Sequence, residues 1–295
     1  MKRVRKAVLP VAGLGTRMLP AAKTVAKEML TVVDRPLIHH VMAEARAAGI
    51  EHFVLVTGRG KGAMEDYFDH HVELEDTLRA KNKTALLDEL VNDLPKAGEI
   101  SYVRQMAPHG LGHAVWCARD VIGDEPFAVL LPDMIMDAEP GATAQAISAY
   151  EQTNGGNVVL VEPCPPGEAH KYGIVALDGP PVDRGDGRLN RMIGMVEKPA
   201  PGTEPSNLFI SGRYVLSPEI FKVLETVERG AGGEIQLTDA MVKLMAQQPF
   251  YALEYDGVTY DCGDKIGWLR ANVALALKRP DLADAARRAL KPLLA

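Results

Sequence analysis

Cysteine is scarce in this sequence: the 295 residues include only Cys117, Cys164 and Cys262, and no two of them form a CxxC pair. This usage offers no disulfide framework and no cysteine-based zinc site. It is typical of proteins in a reducing compartment, so we expect a cytoplasmic location.

Long apolar runs are also lacking, because no stretch approaches the roughly 18 residues of a membrane span. The basic segment 2–6 resembles the start of a signal peptide. However, the apolar run after it is broken by Pro10 and Gly13 and is followed by Arg17. A first β-strand explains this segment better, and we expect no association with a membrane.

Basic residues are fewer than acidic ones: the chain has 33 Lys and Arg residues and 39 Asp and Glu residues, which gives a net charge of −6. Nucleic-acid-binding domains are usually basic, so we expect no nucleic-acid partner. An anionic small ligand would have to be bound by local basic residues. Apolar residues make up 47% of the chain, which is ordinary for a globular protein with a full core.

Strands and helices alternate through the first half of the sequence. Apolar strands are predicted at 8–11, 53–57, 100–103 and 127–131, with a helix at 36–48. This order predicts an α/β fold, with a Rossmann-like, mixed and mostly parallel central sheet flanked by helices. The unbroken apolar run at 127–131 is typical of a central strand buried on both faces.

The second half has a different pattern. Strands at 172–176, 192–197 and 208–216 are separated by turns rich in Pro and Gly, which predicts a smaller antiparallel layer. A further strand pair is predicted at 251–260, and helices are predicted at 265–277 and 282–294.

These patterns suggest a division of the chain into a main domain at 1–262 and C-terminal helices at 263–295. The main domain would include a polar helical excursion at 66–98. The apolar spacing of the C-terminal helices suits either a packed helix pair or an oligomer contact.

A glycine loop follows the first strand, in the segment VAGLGTRMLP at 11–20. Gly13 and Gly15 allow the backbone N–H groups to approach a ligand closely. Arg17 and, ten residues later, Lys27 add positive charge next to them. The combination predicts a polyphosphate site.

Two other phosphate loops share parts of this pattern. The dinucleotide fingerprint GxGxxG needs a third glycine, but Met18 stands there, although Asp34 lies near the distance expected for a ribose-binding acid. A Walker A loop needs GK[ST] after the glycines, and none follows. Because two cations accompany this loop, it favours a triphosphate with a pyrophosphate leaving group.

Several predicted strands end in polar residues, and ligands of parallel sheets bind at such ends. Asp133 follows the central strand and Asp261 follows a later one, which makes both candidate Mg²⁺ ligands. A helix cap is the alternative for Asp133, and Asp137 is a rival ligand. Glu197 and Lys198 end another strand, where they would suit sugar hydroxyls and a sugar phosphate.

Taken together, these motifs resemble the sugar-1-phosphate nucleotidyltransferases, in order and spacing, over nearly the whole chain. The matching segments, besides 11–20, are AKEML (26–30), VRQ (103–105), GLGHAV (110–115), LPD (131–133), YGIV (172–175), VEKP (196–199), SNLFISGRYVL (206–216), GEIQLTDA (233–240) and DCGDK (261–265). GLGHAV, GEIQLTDA and DCGDK point to the uridylyl-transferring branch.

The resemblance implies a role for each matching position. The residues implied in nucleotide binding are Ala12, Gly13, Gly15, Gln105 and Gly110. The residues implied in handling phosphates during catalysis are Arg17, Lys27 and Lys198. The implied sugar-binding residues are Gly173, Glu197 and Gly212, and the implied metal ligands are Asp133 and Asp261.

The implied reaction joins UTP and glucose 1-phosphate to give UDP-glucose and pyrophosphate with the help of Mg²⁺, in a homodimer or homotetramer. No general base is required, because a sugar phosphate is mostly ionised at pH 7, with a second pKa of about 6. A related enzyme using dTTP or another sugar remains an alternative. A non-catalytic nucleotide-sugar sensor is disfavoured, because the charged residues expected for catalysis are present.

Overall fold

The computed structural model describes residues 1–179, 182–183 and 187–293. Its β-strands are β1 Lys6–Pro10, β2 Thr31–Val32, β3 Arg35–Pro36, β4 His52–Thr57, β5 Ile100–Arg104, β6 Phe127–Leu130, β7 Met134–Asp137, β8 Asn157–Pro163, β9 Gly173–Leu177, β10 Val182–Asp183, β11 Gly187–Glu197, β12 Leu208–Leu216, β13 Phe250–Tyr255 and β14 Val258–Asp261.

The α-helices of the same residues alternate with these strands. They are α1 Leu37–Ala47, α2 Gly62–Tyr67, α3 Val72–Ala80, α4 Thr84–Val91, α5 Leu111–Cys117, α6 Arg119–Ile122, α7 Ala142–Gln152, α8 Ile220–Thr226, α9 Leu237–Met245, α10 Lys265–Lys278 and α11 Ala283–Leu290.

The central sheet has the strand order β10-β11-β13-β8-β12-β6-β1-β4-β5, with β9 paired to both β11 and β12. Strands β6, β1, β4 and β5 are mutually parallel, so their carboxyl ends share one edge. Strand β12 runs antiparallel to β6 and β8. The predicted α/β fold with a mixed central sheet is confirmed, and β9–β11 form its antiparallel extension.

Apolar side chains cover both faces of the sheet, and β1 shows how the sequence produces this. Val8 packs with the core on the α5, α8 and α9 side, whereas Ala7 and Leu9 pack on the α1 and α7 side. Successive side chains of a strand point to opposite faces, so an unbroken apolar strand serves both cores. The predicted burial is confirmed for residues 127–130, which form β6 and are all buried, whereas Leu131 follows the strand and is only partly buried.

The predicted strand pair at 251–260 is wrong in its pairing. Strand β13 joins the central sheet parallel to β8, while β14 turns away and pairs with β7. Strand β7 itself was not predicted, because its four residues follow directly on β6 and Pro132. The β14–β7 register sets Asp261 opposite Met134, next to Asp133.

The remaining helical predictions fall close to the observed elements. Segment 66–98 contains α3 and α4, and α10 matches the predicted helix at 265–277. The helix predicted at 282–294 is α11 followed by a 3₁₀ turn at Lys291–Leu293, and residues 294–295 lie outside the described residues. In the described part of the chain, no helix combines the length and hydrophobicity needed to cross a bilayer.

Candidate active site

The glycine loop after β1 lies against the Lys27 segment. Gly15 has φ +67°, and a Cβ there would lie 3.1 Å from Lys27 Cβ and 3.2 Å from Ala22 Cβ. A side chain would be strained by this backbone conformation and crowded by both neighbours. Glycine is therefore needed for the loop to reach Lys27.

A buried lysine that the sequence reasoning missed ties this loop down. Lys61 Nζ donates to the Gly13 carbonyl at 2.9 Å and to Glu28 Oε2 at 2.8 Å. Glu28 is completely buried, and Lys61 is nearly so. The local sequence does not indicate this contact, because a lysine between glycines usually points to solvent.

Two carboxylates and two cations meet at the carboxyl edge of the sheet. Lys27 Nζ lies 2.5 Å from Asp133 Oδ2, and Arg17 Nη1 lies 3.3 Å from Asp261 Oδ2. Arg17 Nη2 also lies 3.9 Å from Asp133 Oδ2, so it bridges the two carboxylates. The structure thus brings together four residues that the sequence predicted separately.

Gly263 shows how closely these groups converge. A Cβ at this position would lie 2.8 Å from both Asp133 Oδ2 and Asp261 Oδ1, and it would also clash with Arg17 Nη2. The Gly263 N–H also donates to Asp261 Oδ1 at 2.8 Å. The two carboxylates therefore converge beside Gly263, where any side chain would crowd both of them.

The charges in this cluster shift one another's protonation. Burial alone would raise the pKa of Asp133, but Lys27 and Arg17 outweigh it and hold that pKa below its ordinary value. Burial and the neighbouring Asp133 raise the pKa of Asp261, against the opposing effect of Arg17. Asp133 is therefore the more firmly ionised member of the pair.

A buried ion pair holds the loop that carries Asp133. Arg213, on β12, has no exposed surface and donates to the carbonyls of Leu131 at 3.1 Å and Met134 at 2.8 Å. Its Nη2 also lies 2.7 Å from Glu44 Oε2 of α1. Because these carbonyls flank residues 132–133, the guanidinium fixes the loop on both sides. No local motif indicates this pair, whose members are 169 residues apart.

We expect Arg213→Met to lower the free energy of unfolding by about 3–5 kcal/mol, because it leaves the Glu44 carboxylate buried and unpaired. Urea denaturation measures this loss. Adding Glu44→Gln removes the charge but keeps an acceptor for the Thr143 N–H and hydroxyl. The double variant should therefore be more stable than Arg213→Met alone, and a double variant that is no more stable would contradict this account.

The segment around Gly110 is held by a second motif, at 233–236. The Gly112 N–H donates to the Ile235 carbonyl at 2.9 Å, and the Ile235 N–H donates to the His109 carbonyl at 2.7 Å. Gly110 has φ +102°, and a Cβ there would lie 2.8 Å from the Ile235 carbonyl oxygen. Glycine is required for this contact, and the two motifs form one frame next to Gln105.

The predicted sugar-side residues fall into two groups. Glu197 Oε2 accepts a hydrogen bond from Thr238 Oγ1 at 3.2 Å, and a Cβ on Gly173 would lie 3.2 Å from the same oxygen. Lys198 has φ +48°, and its Nζ lies 3.6 Å from Glu197 Oε1.

The other group consists of Gly212, which packs on the loop that carries Asp133. A Cβ on Gly212 would lie 3.0 Å from the Met134 side chain. Thr238 was missed, because one threonine in a helix carries no distinct signal.

The rival ligand Asp137 lies at the far end of β7 and pairs with Lys278 of α10. Among the described residues, no group of three or more His, Cys, Asp and Glu side chains is arranged to hold a metal ion. A pair of carboxylates at a polyphosphate site suits Mg²⁺, which takes its other ligands from phosphates and water.

Comparison of the chain with known proteins identifies its family. Residues 6–276 match the nucleotidyl transferase family model. A UTP–glucose-1-phosphate uridylyltransferase of Bacillus subtilis (strain 168) is 49% identical over 284 residues, which cover 96% of this chain and 95% of the relative. One from Komagataeibacter xylinus is 49% identical over 266 residues, covering 90% and 92%.

Solved structures are similar over the same length. A UTP-bound UGPase from Acinetobacter baumannii has a TM-score of 0.89 at 43% identity, covering 97% of this chain and 98% of that one. A UDP-glucose pyrophosphorylase complexed with UDP-glucose has a TM-score of 0.82 at 37% identity, covering 94% and 100%. The chain therefore belongs to the nucleotidyl transferase family and, within it, to the UTP–glucose-1-phosphate uridylyltransferases.

Proposed function

We propose that this enzyme joins UTP and glucose 1-phosphate to form UDP-glucose and pyrophosphate. The observation that carries the proposal is the cluster of Arg17, Lys27, Asp133 and Asp261 beside the glycine loop. The relatives bearing this activity in their names match nearly the whole chain and support the choice of substrates.

In the proposed reaction, an oxygen of the sugar phosphate attacks the α-phosphorus of UTP. A bond forms between that oxygen and the α-phosphorus while the bond to the β-phosphate breaks, and pyrophosphate leaves in line. The attacking oxygen is already ionised, so the protein's task is to hold two anions together. Arg17 and Lys27 would hold the triphosphate and stabilise charge on pyrophosphate, and Lys198 would hold the sugar phosphate.

Mg²⁺ is the proposed cofactor, with Asp133 and Asp261 as its protein ligands. The oxygen-only donor set and the convergence of the two carboxylates beside Gly263 fit a small hard cation. When bound, Mg²⁺ neutralises phosphate charge and aligns the phosphate chain.

Lys27 and Arg17 would change partners when substrates bind. In the structure these cations neutralise the two aspartates that are the proposed ligands. A triphosphate attracts the cations, and a divalent ion attracts the carboxylates. The exchange keeps charges paired in a partly buried site, where an unpaired charge would be costly.

The glucose moiety would lie between two groups of residues in the second half of the chain, the one around Glu197 and the one at Gly212. Glu197, held by Thr238, would accept hydrogen bonds from glucose hydroxyls, and Gly173 leaves room beside it. Gly212 stays a predicted backbone contact. The nucleotide would be enclosed by Ala12, Gly13, Gly15, Gln105 and Gly110, with Gln105 in contact with the base.

Two proposals concern the enzyme's setting. Three unpaired cysteines support a reducing, cytoplasmic location. Ile266 and Leu269 of α10 are 67% and 52% exposed, which supports a homodimer or homotetramer contact through the C-terminal helices.

A substrate panel tests the proposed function. Pyrophosphate release is measured with UTP, dTTP, CTP and ATP, each with glucose 1-phosphate and with other sugar 1-phosphates, in the presence of Mg²⁺. We expect UTP with glucose 1-phosphate to give the highest kcat/KM. A higher value for dTTP would support the thymidylyl alternative and overturn the proposed substrate.

A further inference from the structure

Gln105 is held at the end of β5 with its amide group in one orientation. Its backbone N–H donates to the Thr57 carbonyl at 2.8 Å, and its side chain is buried. The side-chain Nε2 lies 3.1 Å from the Gly110 carbonyl oxygen and 3.0 Å from His113 Nδ1.

These two partners determine which atom of the amide faces them. The Gly110 carbonyl can only accept a hydrogen bond, so the NH₂ group of Gln105 must lie on that side. The second N–H of the same group then faces His113 Nδ1, which must act as an acceptor. The ring proton of His113 therefore lies on Nε2.

The surroundings of His113 favour this neutral form. Burial, together with His109 and Arg229, lowers the pKa of His113, so the ring is neutral near pH 7. Both donors of the Gln105 amide are then satisfied within the protein. Its oxygen, for which the structure shows no donor among the described residues, is left free to accept a hydrogen bond from a ligand.

We propose that His113 is a specificity-determining residue that positions Gln105 so that its amide oxygen selects a base with an N–H donor. Uracil carries such a donor at N3. Cytosine carries a lone pair at N3, which would face the lone pairs of the Gln105 oxygen. The inference rests on the proposed function, in which Gln105 contacts the base of the nucleotide.

The rigid frame around His113 supports this role. His113 follows Gly112, whose N–H is tied to Ile235. The His113 ring also lies edge-on to His109, with 5.1 Å between ring centroids. The acceptor atom is thereby held in place and does not depend on a mobile side chain.

Three substitutions of His113 separate an effect on base choice from general damage. Asparagine places its Oδ1 near the position of Nδ1 and keeps the acceptor, glutamine reaches instead toward the position of Nε2, and phenylalanine removes the acceptor. The matched control is His52→Phe, which removes one side-chain hydrogen bond, to Ser101 Oγ, at the opposite end of β4.

The measurement is kcat/KM for UTP and for CTP at a fixed concentration of glucose 1-phosphate, with circular dichroism to check folding. We expect the UTP-to-CTP ratio to fall about tenfold in His113→Phe, because the Gln105 amide then keeps only its hydrogen bond to the Gly110 carbonyl and its orientation toward the base is less strongly held. The ratio in His113→Asn should stay within about threefold of the wild-type ratio, and the ratio in His113→Gln should fall as it does in His113→Phe. His52→Phe should leave the ratio unchanged.

An unchanged ratio in folded His113→Phe would overturn the inference while leaving the proposed function intact. If that variant does not fold, equal ratios in His113→Asn and His113→Gln would overturn it instead. A wild-type enzyme that releases no pyrophosphate from UTP and glucose 1-phosphate would overturn the proposed function, and the inference with it.

Discussion

Asp133→Asn should lower kcat by at least about 10²–10³-fold at saturating UTP and glucose 1-phosphate. Asparagine has nearly the shape of aspartate but lacks its charge, so it pairs weakly with Lys27 and is a poor ligand for Mg²⁺. Because Asp133 is buried and lies 2.5 Å from Lys27, no other carboxylate can move into its place without rearranging the loop. The remaining activity should require more Mg²⁺ for half-saturation.

The matched control is Asp137→Asn, four residues further along the chain at the end of β7. Its carboxylate pairs with the exposed Lys278, away from the glycine loop. We expect near wild-type kcat and Mg²⁺ dependence for this variant. Thermal denaturation establishes that both variants are folded. Full activity in Asp133→Asn, or a loss confined to Asp137→Asn, would remove Asp133 from the proposed metal site.

Gly263→Ala should lower kcat/KM about 10²-fold while the protein still folds. The added methyl group would lie 2.8 Å from oxygens of both Asp133 and Asp261, so both carboxylates must move away. A displacement of about 1 Å at a reacting centre is enough for a loss of that size. The crowded atoms are ends of side chains, which can shift without unfolding the chain.

Steady-state kinetics together with a melting temperature test this expectation. Gly62→Ala serves as the control, because a Cβ at Gly62 meets nothing within 4 Å. Both variants should melt within a few degrees of wild type, and only Gly263→Ala should lose activity. Wild-type kinetics in Gly263→Ala would show that the two carboxylates do not need the space beside this glycine.

The sequence predicted the location of the site because the fold follows a local rule. Parallel strands place their carboxyl ends on one edge, so residues after separate strands meet there once the α/β alternation is recognised. This rule alone predicts that the glycine loop at Gly13 and Asp133 lie at the same edge. The local pattern of glycines and cations was sufficient to indicate a phosphate ligand.

The residues that support the site could not be predicted in this way. Lys61 and Glu28 are 33 residues apart, and nothing in the sequence near either one signals the other. Arg213 lies in a strand whose pattern predicts burial of apolar side chains, yet it is the largest fully buried side chain in the described part of the chain. Buried ion pairs depend on long-range geometry, which neither periodicity nor motif spacing specifies.

The predicted pairing of β14 with β13 was wrong for a related reason. Two short strands separated by a glycine predict a hairpin, because adjacent strands usually pair. Here β13 is already flanked by β8 and β11 in the central sheet, so β14 finds its partner in β7. That less local pairing is what carries Asp261 to Asp133.

The central claim is that Asp133 and Asp261 hold the metal ion while Arg17 and Lys27 turn to the phosphates. The most direct test is a crystal structure of this enzyme with UTP and Mn²⁺, without sugar phosphate, in which anomalous scattering locates the ion. We predict one peak within coordination distance of an oxygen from each aspartate, with the Lys27–Asp133 contact lengthened. A metal peak elsewhere, with that contact kept at 2.5 Å, would contradict the account.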